Sequence, residues 1–105
     1  MDLAIVLVTC GSEEEAGKIS ELLVRQHMAA CVSITPVRSV FEWQGKFENQ
    51  SEWLLMIKTL SPLLARVEEA VKANHSYECP EIIALNVAAV SENYARWVRS
   101  VCKTP

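Results

Sequence analysis

The chain has 105 residues, half of them hydrophobic, and a formal net charge of −3 from 10 basic and 13 acidic side chains. That length and apolar content suit one domain whose core needs neither disulfides nor a structural metal. The charges are interspersed and leave no basic stripe, so DNA and RNA are not expected as partners.

Residues 3–9 are continuously apolar or β-branched, which predicts a strand buried on both faces at the centre of a sheet. The run is too short to cross a membrane and follows Asp2 instead of a basic segment, so no membrane partner and a cytoplasmic location are expected. Cys10-Gly11 ends it. Ser12, with Glu15 three residues later, forms a capping box, and Glu13, Glu14 and Glu15 suit the positive end of the helix dipole. Ala16, Ile19, Leu22 and Leu23 recur at helical spacing, and the helix is expected to close near His27, whose imidazole suits the negative end.

Residues 30–34 and 37–43 are strand-like. Pro36 between them argues for an edge strand or a bulge. Gln44-Gly45 supplies a turn, and residues 47–59 run back with Trp53, Leu55 and Ile57 on one face and Leu54 and Met56 on the other. Ser61 as cap and Pro62 in the first turn open a second helix that runs to Asn74, with an apolar stripe of Leu63, Leu64, Val67, Ala70 and Val71. Residues 82–87, just after Pro80, read as a fourth strand. Ser91 caps a last helix in which Tyr94, Trp97, Val98 and Val101 point one way and Arg96 and Arg99 face water.

The order βαββαβ plus a C-terminal helix predicts a single α+β domain over residues 1–105, ferredoxin-like, with a four-stranded antiparallel sheet and helices on one face. The first and third strands are then central and the proline-bearing second and fourth lie at the edges. Leu54 and Met56 fall on the face that the helices leave uncovered, and the hairpin exceeds a typical strand of about five or six residues. Both features point to self-association, with Trp43, Gly45 and Trp53 packing in the interface.

The polar residues with most chemistry are His75-Ser76-Tyr77-Glu78-Cys79-Pro80-Glu81, between the second helix and the last strand. Imidazole and thiolate are ligands for zinc or copper, and carboxylates complete such shells. No closed zinc spacing is present, however, and Cys79 also reads as a small core residue, with Glu78 and Glu81 solvated. Cys10, Cys31, Cys79 and Cys102 are scattered and read as reduced thiols, with Cys31 packed as a small hydrophobe. There is no glycine-rich phosphate loop and no nucleophile elbow, and no third group orients a Cys31–His75 pair, so the chain is not expected to be an enzyme.

Met28-Ala29-Ala30-Cys31-Val32-Ser33-Ile34, Ser39-Val40-Phe41-Glu42-Trp43-Gln44-Gly45-Lys46, Lys58-Thr59, the segment from His75 through Glu81 to Ile83, and Tyr94-Ala95-Arg96-Trp97 stand in this order over nearly the whole chain. Together they resemble the divalent-cation tolerance (CutA) family. The resemblance implies a ferredoxin-like fold, a homotrimer joined through long hairpins, and a cytoplasmic protein linked to copper tolerance. It also implies an architecture like that of the trimeric PII signalling proteins, whose ligands lie in clefts between subunits. His75 matches the histidine of the family's His-Pro-Tyr motif, with Ser76 in place of the proline, and is therefore the candidate metal residue. The remaining copper-ligand positions fall on Asn74 and Val8, which carry no metal chemistry; Cys10, two residues on and on the same side of the strand, is the available substitute. Cys31, Tyr77 and Glu81 are cleft-lining candidates. The expected function is that of a trimeric CutA-like protein whose intersubunit clefts take copper, another divalent metal or a small ligand, without a metal being needed for folding. The alternative is a metal-independent trimeric scaffold or PII-like signalling module that acts through a protein partner.

Overall fold

The computed structural model describes residues 2–103. Its elements are β1 (Leu3–Cys10), α1 (Glu13–Arg25), β2 (Cys31–Trp43), β3 (Lys46–Leu60), α2 (Leu64–Asn74), β4 (Ile82–Asn86) and α3 (Glu92–Val101). The strands form one antiparallel sheet in the order β2-β3-β1-β4, so the two strands that are apolar on both faces are the central ones, as expected. This is the α+β, ferredoxin-like arrangement that the element order predicts.

Alternation along the strands divides the sheet into two faces. Val6 and Val8 pair with Ile57 and Leu55, and these side chains are buried with Ala16, Ile19 and Leu23 of α1 and Val67 and Val71 of α2. Burying each such aliphatic side chain contributes about 1.5–3 kcal/mol. Ile5, Leu7, Leu54 and Met56 take the opposite parity and are only partly covered, while Ile83 and Leu85 beside them are exposed. α3 closes one end of the sheet, where Ala95 and Val98 pack with Leu3, Leu60 and Leu63.

β1 accompanies β3 only from Trp53 to Leu60. The remainder of β3 and its β2 partners therefore project as a free hairpin, which accounts for the 44 Å long axis of a molecule only 25 × 20 Å in cross-section. Phe47 near its tip is 74% exposed. Gln44 and Gly45 both have positive φ, 53° and 80°, which is the type I′ geometry that matches strand twist.

Several local expectations are corrected. α1 ends at Arg25, and His27 lies beyond it at φ 60°, where its N–H bonds Val24 O and the next N–H, of Met28, reaches Leu23 O. This is a Schellman closure with a histidine in the place glycine usually takes, so His27 closes the helix through its backbone. β2 runs unbroken through Pro36, which sits opposite Trp53 on an edge strand where no ladder bond is lost. Ser61–Leu63 form a turn of 3-10 helix before α2, and Ser61 donates its N–H to Asp2 O instead of capping with its side chain. Ser91 holds the N-cap position of α3 without a side-chain cap bond. Of the stripe on α3, Val98 is buried, whereas Tyr94 and Trp97 are exposed and lie against each other at 5.6 Å between ring centres. Cys79 is exposed and not part of the core.

Candidate functional site

The first turn of α1 faces the connection that follows α2. Ser12 Oγ accepts the Glu15 N–H at 3.1 Å, which fixes that turn and aims the Glu15 carboxylate outward. Its two oxygens accept from Ser76, one from the backbone N–H at 2.9 Å and one from the hydroxyl at 3.1 Å. The glutamate of the capping box thus also anchors the connection.

His75 leaves α2 in an extended conformation and turns its ring under that connection, where the side chain is fully buried. Nε2 lies 2.8 Å from Thr9 O, a carbonyl that only accepts, so the proton is on Nε2. Nδ1 then accepts the Tyr77 N–H at 3.1 Å. Both ring nitrogens are used, and the imidazole clips the connection to the end of β1.

Cys10, at the last position of β1, is fully buried beside this ring. Its sulfur and ligand atoms of Glu15 and His75 all lie within 4.8 Å of one another, the one group of three such donors that converges among the described residues. Sulfur, nitrogen and carboxylate are a reasonable set for copper or zinc. As they stand, however, these residues do not fit an ion. Ser76 holds both Glu15 oxygens, Thr9 and Tyr77 hold both imidazole nitrogens, and burial followed by the Glu15 and Glu52 charges pushes the Cys10 thiol up to about 11. Asn74, beside His75, donates to Ala70 O at 2.8 Å and plays no part.

Tyr77 carries the connection onward. Its hydroxyl donates to Glu52 Oε2 at 2.7 Å and passes so close to Gly11 that a Cβ there would stand 2.9 Å from the oxygen. Burial, then the Glu52 bond and charge, raise the Tyr77 hydroxyl well above its usual range, which keeps it a donor. Glu52 sits where the free hairpin joins the sheet and is only 5% exposed. Together with Tyr77, Glu81 and the hairpin residues Phe41 and Trp43 it lines a cavity of about 570 Å³. Burial and then the Glu52 charge raise the Glu81 carboxyl.

Of the residues singled out in the sequence, Tyr77 and Glu81 therefore share a cavity and His75 lies buried behind it. Cys31 is elsewhere within the chain: it pairs with Lys58, whose ammonium bonds Ser33 Oγ and lies 3.9 Å from the Cys31 sulfur. Glu52, Glu15 and Gly11 are the participants that sequence reasoning missed. Glu52 gave a signal, since it is a carboxylate immediately before the apolar run from Trp53 to Ile57.

The profile of the CutA1 divalent ion tolerance protein family matches residues 4–101. The chain belongs to that family. A divalent-cation tolerance protein CutA from Thermus thermophilus is 42% identical over 96 residues, covering 90% of this chain and 93% of its own. The chloroplastic protein CutA of Arabidopsis thaliana is 42% identical over 97 residues, 91% of this chain. The chain spans little more than half of such longer relatives, 53% of the Arabidopsis protein and 58% of the Homo sapiens protein CutA. The crystal structure of CutA from Xylella fastidiosa superposes with a TM-score of 0.95 at 33% identity, over 98% of this chain and all of that one. A CutA from Archaeoglobus fulgidus is described as periplasmic and the Arabidopsis protein as chloroplastic, so these CutA relatives do not share one compartment.

Proposed function

We propose that this CutA-family chain works as a homotrimer in which each hairpin lies against the open sheet face of a neighbour, and that its working site is the cavity around Glu52, Tyr77 and Glu81. The observation that carries the self-association is the combination of an incompletely covered apolar face, from Leu7 and Met56 to Ile83 and Leu85, with a projecting hairpin that exposes Val40, Phe41, Trp43 and Phe47. Each alone is an exposed patch of the kind that marks an interface. The cavity stands at the root of the hairpin, so a neighbour seated there completes its walls, and its volume is within the range of small-ligand sites.

Divalent-cation tolerance then comes through a diffusible ligand and not through an ion resident on Cys10, Glu15 and His75. Copper gains that cluster only by displacing Thr9 O or the Tyr77 N–H from the imidazole. Replacing Ile83 and Leu85 together by glutamate tests the assembly. The expected result is loss of the oligomer with secondary structure kept; an unchanged sedimentation coefficient contradicts the interface.

A second reading, a scaffold or signalling module that acts through a protein partner, is favoured by one feature. Tyr94 and Trp97 form an exposed aromatic pair on α3, and aromatics of this kind are enriched at interface centres.

A further inference from the structure

Four glutamates, Glu48, Glu52, Glu78 and Glu81, line the cavity, and among the described residues no lysine, arginine or histidine does. The innermost of them is the telling one. Glu52 is nearly buried, and among the described residues its side chain has one hydrogen bond, from the Tyr77 hydroxyl to Oε2, and no cation partner, which leaves Oε1 open to the cavity. A carboxylate oxygen that opens only into such a cavity from a nearly buried side chain favours a positive or donor group there, which replaces part of its lost hydration.

The walls decide what kind of cation answers it. A bare divalent ion needs oxygens converging at about 2.0–2.6 Å. The four cavity carboxylates do not converge, since the one group of three close ligand atoms among the described residues is that of Cys10, Glu15 and His75. The cavity is instead wide and flanked by the rings of Phe41 and Trp43, both partly exposed on the hairpin. Aromatic faces attract ammonium groups within about 6 Å, and the surrounding carbon surface suits an alkyl chain.

Resting on the reading of this cavity as the working site, we infer that its ligand is a small organic ammonium compound, held by Glu52 at the inner end and by the hairpin rings and the outer glutamates around its carbon chain. The site thereby disfavours nucleotides and other anions.

The test is a titration of the full chain in its native oligomer with 1,4-diaminobutane, followed by the Trp43 indole N–H and the Tyr77 amide in proton–nitrogen NMR spectra. Parallel titrations use 1,4-butanediol, magnesium chloride at matched ionic strength, and ATP. Saturable shifts at both signals with the diamine alone are expected, weakened about tenfold or more in Glu52→Gln, where the buried charge is removed. Should Glu52→Gln fail to fold, Glu78→Gln combined with Glu81→Gln, both at exposed positions, is expected to weaken binding several-fold. Equal shifts with magnesium or butanediol, or diamine binding unchanged in the glutamine variants, overturn the inference. ATP binding without diamine binding overturns it too but leaves the cavity as a ligand site. Silence of both signals with every probe removes the cavity reading itself.

Discussion

Tyr77 Oη and Glu52 Oε2, 2.7 Å apart, join two parts of the chain separated by 25 positions, and theirs is the bond that ties the α2–β4 connection to the root of the hairpin. Gly11 makes it possible by leaving room for the hydroxyl. Removing the donor leaves a nearly buried carboxylate without its partner, and such a loss costs about 1–3 kcal/mol. Tyr77→Phe is therefore expected to lower the urea midpoint, while Glu52→Gln in the same background adds less than it does alone. Gly11→Ala, which pushes the ring away, should imitate Tyr77→Phe. Additive effects in this double-mutant cycle contradict the coupling.

His75 is expected to be a neutral imidazole with its proton on Nε2, because Thr9 offers only a carbonyl and Tyr77 only an N–H. Nitrogen NMR of the ring distinguishes the two tautomers directly. His75→Ala removes both bonds and leaves a cavity, a loss of roughly 2–4 kcal/mol. A ring that proves protonated on Nδ1, or an alanine variant of unchanged stability, contradicts the clip. Copper added to the reduced protein in one equivalent should leave the ring signals in place.

The thiols should separate by exposure. Cys79 is exposed and is expected to react first with a disulfide reagent at pH 8, and Cys79→Ser removes that fast phase. Cys10 should be protected, being buried with its thiol held up to about 11. The same shift fixes a sign. Because the folded value lies above the ordinary 9.0, the neutral thiol favours the folded state; that contribution is complete below pH 9.0 and disappears as pH rises towards about 11. Cys10→Ala should flatten that part of the stability curve, and a variant with an identical alkaline slope contradicts the assignment.

Much of this was legible in the sequence because hydrophobic period reports burial directly. The doubly apolar runs around Val6 and Ile57 marked the central strands, and Pro36 marked an edge. The His75 connection was found for the same sort of reason, since its polar residues interrupt two patterned elements. What could not be read is pairing across distance. Nothing near Glu15 in the sequence announces Ser76, nor does anything near Glu52 announce Tyr77, because those partners meet only after the sheet and the α1–α2 layer have formed. Local signals also misled where two causes give the same residue. His27 at a helix end suggested charge, but its backbone closes the turn, and the stripe on α3 divides, with Val98 buried and Tyr94 and Trp97 exposed.

The proposed self-association through the hairpin and the open sheet face underlies the reading of the cavity and of its ligand. Light scattering coupled to size-exclusion chromatography of the unmodified chain measures it most directly. A single species at about three times the 11.7 kDa chain mass, unchanged on dilution through the micromolar range, is the predicted result. A species of 11.7 kDa under the same conditions contradicts it.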